Sequence, residues 1–341
     1  MTAIRWAILV GMTAVLGSGF FTPVQAQKPK EVMWTHAFDL KCRKFGETEF
    51  TKNTQKFGVE AFKDTNNSLG VYISQVGSLT AVGTGFAKYN AEVPNYPGPD
   101  WVTGLDLPVR KIGEKEFSRE TKVHSMEVFR DPATDNWIYI TEKGLLSATP
   151  AKIAKATGNR MPKWSHAFDL RVRKGGEKDW DKATKYGVEV YADLNTGNLI
   201  YICETGSIAV VPGDAVTTAE GKEPEWLHGL DLACRKFNEY SFTKDTRRIG
   251  IEVFRDANND NLIFFTEAGT LAVTPGGKGL KAPTPKVTAP DWKHGLNLKC
   301  RKVDQEFADA QKFGVEVFRD QNVGVTLYIA ETVSLGAVVK D

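Results

Sequence analysis

From His36 to Arg43, apolar and polar side chains alternate with a period of two (His36-Ala-Phe38-Asp-Leu40-Lys-Cys42-Arg43), the pattern of a strand with one buried face. Lys56-Phe57-Gly58-Val59-Glu60-Ala61-Phe62 gives a second strand. A third type is continuous. Leu199-Ile-Tyr-Ile-Cys203 is β-branched and aromatic without a polar break, which suits a strand covered on both faces. Glu204-Thr-Gly206, where glycine supplies a positive φ, joins it to a fourth strand, Ser207-Ile-Ala-Val-Val211. The Asx-rich segment Asp256-Ala-Asn-Asn-Asp-Asn261 reads as the hairpin loop between strands of the second and third type.

This order of four strands occurs five times. The units open at Trp34, Trp101, Trp164, Trp226 and Trp292, spaced 67, 63, 62 and 66 residues apart. One such meander has two apolar faces and too few residues to cover them, whereas five can stack around an axis. The expected fold class is therefore all-β, a five-bladed β-propeller in which each blade is a four-stranded antiparallel sheet. The recurrent tryptophan is the expected wedge between blades. The rival, five tandem mini-domains, fits poorly with so apolar a third strand and with short, proline-containing linkers.

Strand order assigns the loops to two ends. One end, face A, gathers the unit openings, the Asx hairpins and the connections 83–100, 150–163, 212–225 and 275–291; face B carries the Arg-Lys and Glu-x-Gly turns. Unit five finishes on its fourth strand, so the ring is expected to close by packing alone, without strand exchange.

Apolar content of 41% and charged content of 25% are those of a soluble globular chain. A net charge of +2 points away from nucleic-acid and membrane-surface partners. Residues 1–26 are different in kind: Arg5, an apolar run from Trp6 to Phe21, and Val24-Gln-Ala26 together read as a secretory signal cleaved before Gln27. The expected organisation is thus a signal at 1–26 and a single propeller at 27–341, secreted or held in the periplasm or cell envelope, with no membrane insertion after cleavage. The four cysteines form no disulfide framework. Cys42, Cys234 and Cys300 share one repeat position with Val109 and Val172, and Cys203 stands where other units have Ser74, Thr141, Thr266 and Ala330, so all four read as small buried groups.

Three repeated features are candidates for chemistry. His36, His166, His228 and His294 occupy one column, with Thr103 in unit two; converging imidazoles could bind a metal or anion, or simply bond a neighbouring blade. Asp256-x-Asn258-x-Asp260 followed by Glu267 imitates a calcium loop, but strand three would carry the glutamate to the opposite face. No cofactor is expected; calcium on the hairpin acids is the alternative to an Asx turn. Third, Glu60, Glu127, Glu189, Glu252 and Glu316 lie inside strand two, where an unpaired charge is costly, so each should pair with the arginine of the adjacent strand in its own blade. A carboxylate ring around the axis is the functional alternative.

Acids so alike from blade to blade argue against a glycosidase, which needs carboxyls of differing pKa. The reading that remains is a non-enzymatic binding module with repeated near-equivalent sites for a glycan or envelope polymer, using the histidine column and loop aromatics such as Tyr89 and Tyr96, with Phe86 beside them. The alternative is a structural scaffold whose partner is another exported protein.

Overall fold

The computed structural model describes residues 30–151, 160–213, 222–280, 287–303 and 305–339. The expected signal at 1–26 and parts of three inter-blade connections lie outside the described residues.

Five four-stranded antiparallel sheets form a closed ring. Blade one comprises β1 (Val32–Cys42), β2 (Gln55–Asp64), β3 (Leu69–Ser74) and β4 (Leu79–Val82). Blade two is β5 (Asp100–Val109), β6 (Lys122–Asp131), β7 (Asn136–Thr141) and β8 (Leu146–Pro150). Blade three follows with β9 (Lys163–Val172), β10 (Thr184–Asp193), β11 (Asn198–Cys203) and β12 (Ile208–Pro212). Blade four has β13 (Glu225–Cys234), β14 (Arg247–Arg255), β15 (Leu262–Thr266) and β16 (Leu271–Thr274). Blade five ends the ring with β17 (Asp291–Cys300), β18 (Gln311–Asp320), β19 (Val325–Ala330) and β20 (Leu335–Val339). This is the five-bladed propeller expected from the repeat.

The fourth strands β4, β8, β12, β16 and β20 touch one another around the axis, and the first strands lie outermost. The core is not central. It is divided into five apolar clusters, each made of residues from two neighbouring blades, so every blade depends on both neighbours to bury its faces. Strands of the third type are buried along their whole length, as their unbroken apolar run requires.

Every first strand carries a β-bulge just after its tryptophan, at Thr35 in blade one and at the equivalent residue elsewhere. The bulge settles where the key side chains go. In an unbroken strand Trp34 and His36 would share a face; with Thr35 extruded they pair with Phe62 and Ala61, consecutive residues of β2, and so point to opposite faces. Trp34 packs toward blade five and His36 reaches toward blade two.

Among the described residues no strand is exchanged at closure, but packing is not alone there. The backbone N–H of Lys30 donates to Gly295 O (2.8 Å), making a parallel bridge to β17 that corrects the expectation of closure by packing only. The four cysteines are free and buried. Cys42, Cys234 and Cys300 each turn their thiol to a backbone carbonyl of the next blade, Ile140, Ile329 and Ile73 respectively, and burial pushes all three thiols up, out of reach of neutral-pH ionisation. Among the described residues no helix is long and apolar enough to cross a membrane.

Candidate functional site

Two polar clamps join each blade to the next. The first lies toward face A. His36 Nε2 donates to Asp131 Oδ2 of blade two (3.0 Å), His166 to Asp256 of blade four (2.9 Å), His228 to Asp320 of blade five (2.7 Å), and His294 to Asp64 of blade one (2.8 Å). Tyr72, Tyr201 and Tyr328 send hydroxyls to three of the same acids, Asp131, Asp256 and Asp64, and Tyr139 sends its hydroxyl to Asp193, the equivalent acid at the junction of blades two and three. Burial by itself would raise the Asp131 carboxyl; bonds from His36, Thr134 and Tyr72 overcome it and hold the group down at about 2. Asp64 and Asp256 are likewise lowered by their histidines against the effect of burial.

These histidines are 1–5% exposed. The column singled out in the sequence is therefore carried inside the blade junctions, one imidazole in each of four of them, with Thr103 at the fifth, and not gathered on an open face. Among the described residues no group of three or more His, Cys, Asp or Glu side chains is placed to hold a metal. The Asx hairpins are occupied internally: Asp256 Oδ1 accepts from the backbone N–H and side-chain amide of Asn258, and Asp131 Oδ1 from the N–H of Ala133.

The second clamp lies on the outer rim. Arg43 donates through Nε to Glu127 Oε1 (2.6 Å), Arg110 to Glu189 (2.6 Å), Arg173 to Glu252 (2.6 Å), Arg235 to Glu316 (2.6 Å) and Arg301 to Glu60 (2.7 Å). The pairing expected within each blade runs instead between blades, because propeller twist swings the end of an outer strand over its neighbour. The glutamates sit on the third strand out from the axis, so they form no ring around it. Each glutamate's other oxygen accepts the indole N–H of its own blade's tryptophan, as in Trp101 to Glu127 (2.7 Å) and Trp226 to Glu252 (2.7 Å).

Sequence reasoning missed one rim column. Seven residues after the arginines of units one to four stand Phe50, Phe117, Trp180 and Phe242, in a loop outside any strand pattern. Each ring covers its arginine, with guanidinium-to-centroid distances of 5.0, 4.8, 4.4 and 4.7 Å. It also meets the next blade's tryptophan edge to face, at 5.8, 6.5, 5.6 and 5.7 Å and interplanar angles of 85–89°. These corners reach solvent: Trp101 is 48% and Trp164 39% exposed.

The fifth junction departs from the pattern. Its loop, 301–310, is two residues shorter than 43–54, which leaves Ala308 at the aromatic position and Phe307 under Lys299 (5.6 Å). The Arg301 side chain is accordingly 37% exposed, against 2% for Arg235.

The loop aromatics of the first connection are used internally. Phe86 is fully buried beside Tyr72 and His36. Tyr96 donates to Asp131 Oδ1 (3.0 Å) with its ring 4.4 Å from that of His36, and the Tyr89 hydroxyl donates to Ala133 O. They fasten the connection to blade two's hairpin.

A channel of about 710 Å3 follows the axis and is lined by the fourth strands, with Leu79, Leu146, Ile208, Leu271 and Leu335 as its aliphatic ring. Among the described residues that line it, none carries a charge.

The fold and these junctions define the class, a five-bladed propeller held together by inter-blade ionic and aromatic clamps. No protein-family model matches the chain, nor does any curated protein. Solved structures to which it is similar include the selenomethionine-substituted virginiamycin B lyase from Staphylococcus aureus, at 10% identity over 91% of this chain and 89% of that one, with a TM-score of 0.13. A streptogramin B lyase aligns at 10% identity over 89% and 88%, also with a TM-score of 0.13. Likeness at this level carries no argument about activity.

Proposed function

We propose that this chain is an exported, non-enzymatic binding module with repeated near-equivalent sites, and that its ligand is a glycan or another cell-envelope polymer. The observation that carries the reading is the set of four near-identical, part-exposed aromatic corners on the outer rim. Each presents a rigid apolar surface suited to a sugar face, and a ring of weak equal sites gains strength by multivalency. On this reading the contact surface is the rim, and the buried histidines and Tyr96 support the fold beneath it.

A second reading has its own support. The His–Asp, Arg–Glu and Trp–Glu bonds account for most of the recurrent polar residues, so the repeat also reads as closure alone, in a scaffold for another exported protein. Glycan-array binding followed by calorimetry on Trp101→Ala, Trp164→Ala and the double variant separates the two. Graded loss of affinity, greater in the double variant and measured at a temperature where every variant remains folded, supports the binding module. Absence of glycan binding, or binding indifferent to both tryptophans, overturns it in favour of the scaffold.

A further inference from the structure

A five-fold repeat carries its own internal control: a position that departs in one unit alone is not needed for closure. Two such departures, with a third basic residue beside them, meet at the junction of blades two and three on face B. His124 stands where the other units have Phe57, Tyr186, Ile249 and Phe313. Lys143 replaces Val76, Thr205, Ala268 and Thr332, and Lys122 replaces Gln55, Thr184 and Gln311, with Arg247 in unit four. They lie on β6 and on the turn between β7 and β8, and all three add a basic group at one place.

His124 is fully buried, and neither ring nitrogen has a hydrogen-bond partner at normal distance and angle, although the Glu204 backbone lies beside the ring. A buried polar group left unsatisfied in this way calls for a ligand or a role. Its Nδ1 and the Lys143 Nζ converge beside Gly206, at 3.1 and 3.2 Å from where a side chain there would begin. Lys143 donates to Thr205 O (2.8 Å) and faces Lys122. The nearby carboxylates are engaged elsewhere, Glu142 by the N–H of Phe45 and Glu204 by those of Ile112 and Gly187. Cys203 of blade three, the remaining titratable neighbour, has its thiol pushed up to about 11 by burial and stays neutral.

We propose that Lys122 and Lys143, with His124 beneath them, form a binding site for an oxyanion, free or carried on a polymer as a sulfate, phosphate or carboxylate. Lys122 and Lys143 repel each other, Glu142 offsets only part of the Lys143 charge, and no ion pair forms with either ammonium among the described residues, so a bound oxyanion would relieve the pair. The imidazole makes the site pH-sensitive. Burial first, then Lys122 and Lys143, hold His124 down at about 4, and an anion beside it would favour the protonated ring, so binding tightens as the pH falls.

The test is calorimetric titration of the full chain with inorganic sulfate, whose charge is constant from pH 5 to 7, at fixed ionic strength set with chloride. Saturable binding is expected, roughly threefold or more tighter at pH 5 than at pH 7 by this linkage. It should be abolished in Lys122→Gln/Lys143→Val, which restores unit one's residues. His124→Phe should keep binding but lose its pH dependence. Dextran sulfate distinguishes the source: much tighter binding, lost in the same double variant, assigns the anion to a polymer, and no gain over sulfate assigns it to a small solute. Non-saturable sulfate binding, or binding retained by the folded double variant, overturns the proposal.

Discussion

Arg301 and Glu60 lie 241 residues apart in sequence and 2.7 Å apart in space, and their bond repeats at the closure the contact that joins every other pair of blades. The five pairs are not equally buried. Arg235 is 2% exposed with its aromatic cover in place, whereas Arg301 has lost that cover. Removing either arginine strands a buried glutamate, Glu316 or Glu60, at a cost of about 3–5 kcal/mol. Arg235→Ala also uncovers a fully packed side chain beneath its aromatic ring, so it should lower stability more than Arg301→Ala, read as the shift in urea midpoint.

His228 is expected to be the most sensitive of the column. Phe264 stands where other blades place the tyrosine, so Asp320 lacks the hydroxyl that Asp131, Asp256 and Asp64 receive beside their histidines. His228→Ala should cost more than His36→Ala, by about 1 kcal/mol, the worth of one hydrogen bond. Phe264→Tyr should recover a similar amount. Both are measured by chemical denaturation at pH 7.

Gly77, Gly144 and Gly269 each sit so close to an aromatic ring, Phe313, Phe57 and Tyr186, that a side chain there would begin 2.6–2.9 Å from it. In the junction of blades four and five the ring is Ile249 and the glycine is Val333, held at φ 70°. The smaller residue makes room for the larger one, and both are in the same cluster. Ile249→Phe alone should destabilise by about 1–3 kcal/mol through overpacking. Adding Val333→Gly should return much of that loss, giving a favourable coupling in a double-mutant cycle.

The pH dependence of folding should carry a signature of His124. Its folded pKa of about 4 lies below the unfolded value of about 6.5, so the unfolded chain takes up the proton first as the pH falls. The stability it contributes is complete above pH 6.5 and declines down to about 4, by about 3 kcal/mol in all. Asp131, lowered to about 2, acts in a separate window: its contribution is present above the usual carboxylate range and is lost as the pH falls through 2. Unfolding curves of His124→Phe between pH 7 and 4 should be flatter than those of the parent. An unchanged slope would contradict the buried, unpartnered placement.

Period-two alternation, the unbroken third strand and the tryptophan spacing were enough to define strand type, blade number and fold class, because these follow from which faces must be buried. The burial of the cysteines was legible in the same way, from their exchange with valine. Pairing partners were not. Glu60 was expected to bond the arginine of its own blade and bonds Arg301 of another, since only the twist of the assembled sheets brings that guanidinium near. The bulge at Thr35 sends Trp34 and His36 to opposite junctions, which their spacing of two residues would deny. Phe50, Phe117, Trp180 and Phe242 keep a fixed offset of seven residues from their arginines, yet lie outside any strand pattern, and only the assembled ring shows that each covers a guanidinium and meets the next blade's tryptophan. The sequence by itself determined what each blade is; the tertiary structure alone decided what lies between blades, because contacts across a junction depend on twist, bulge and loop length rather than on local periodicity.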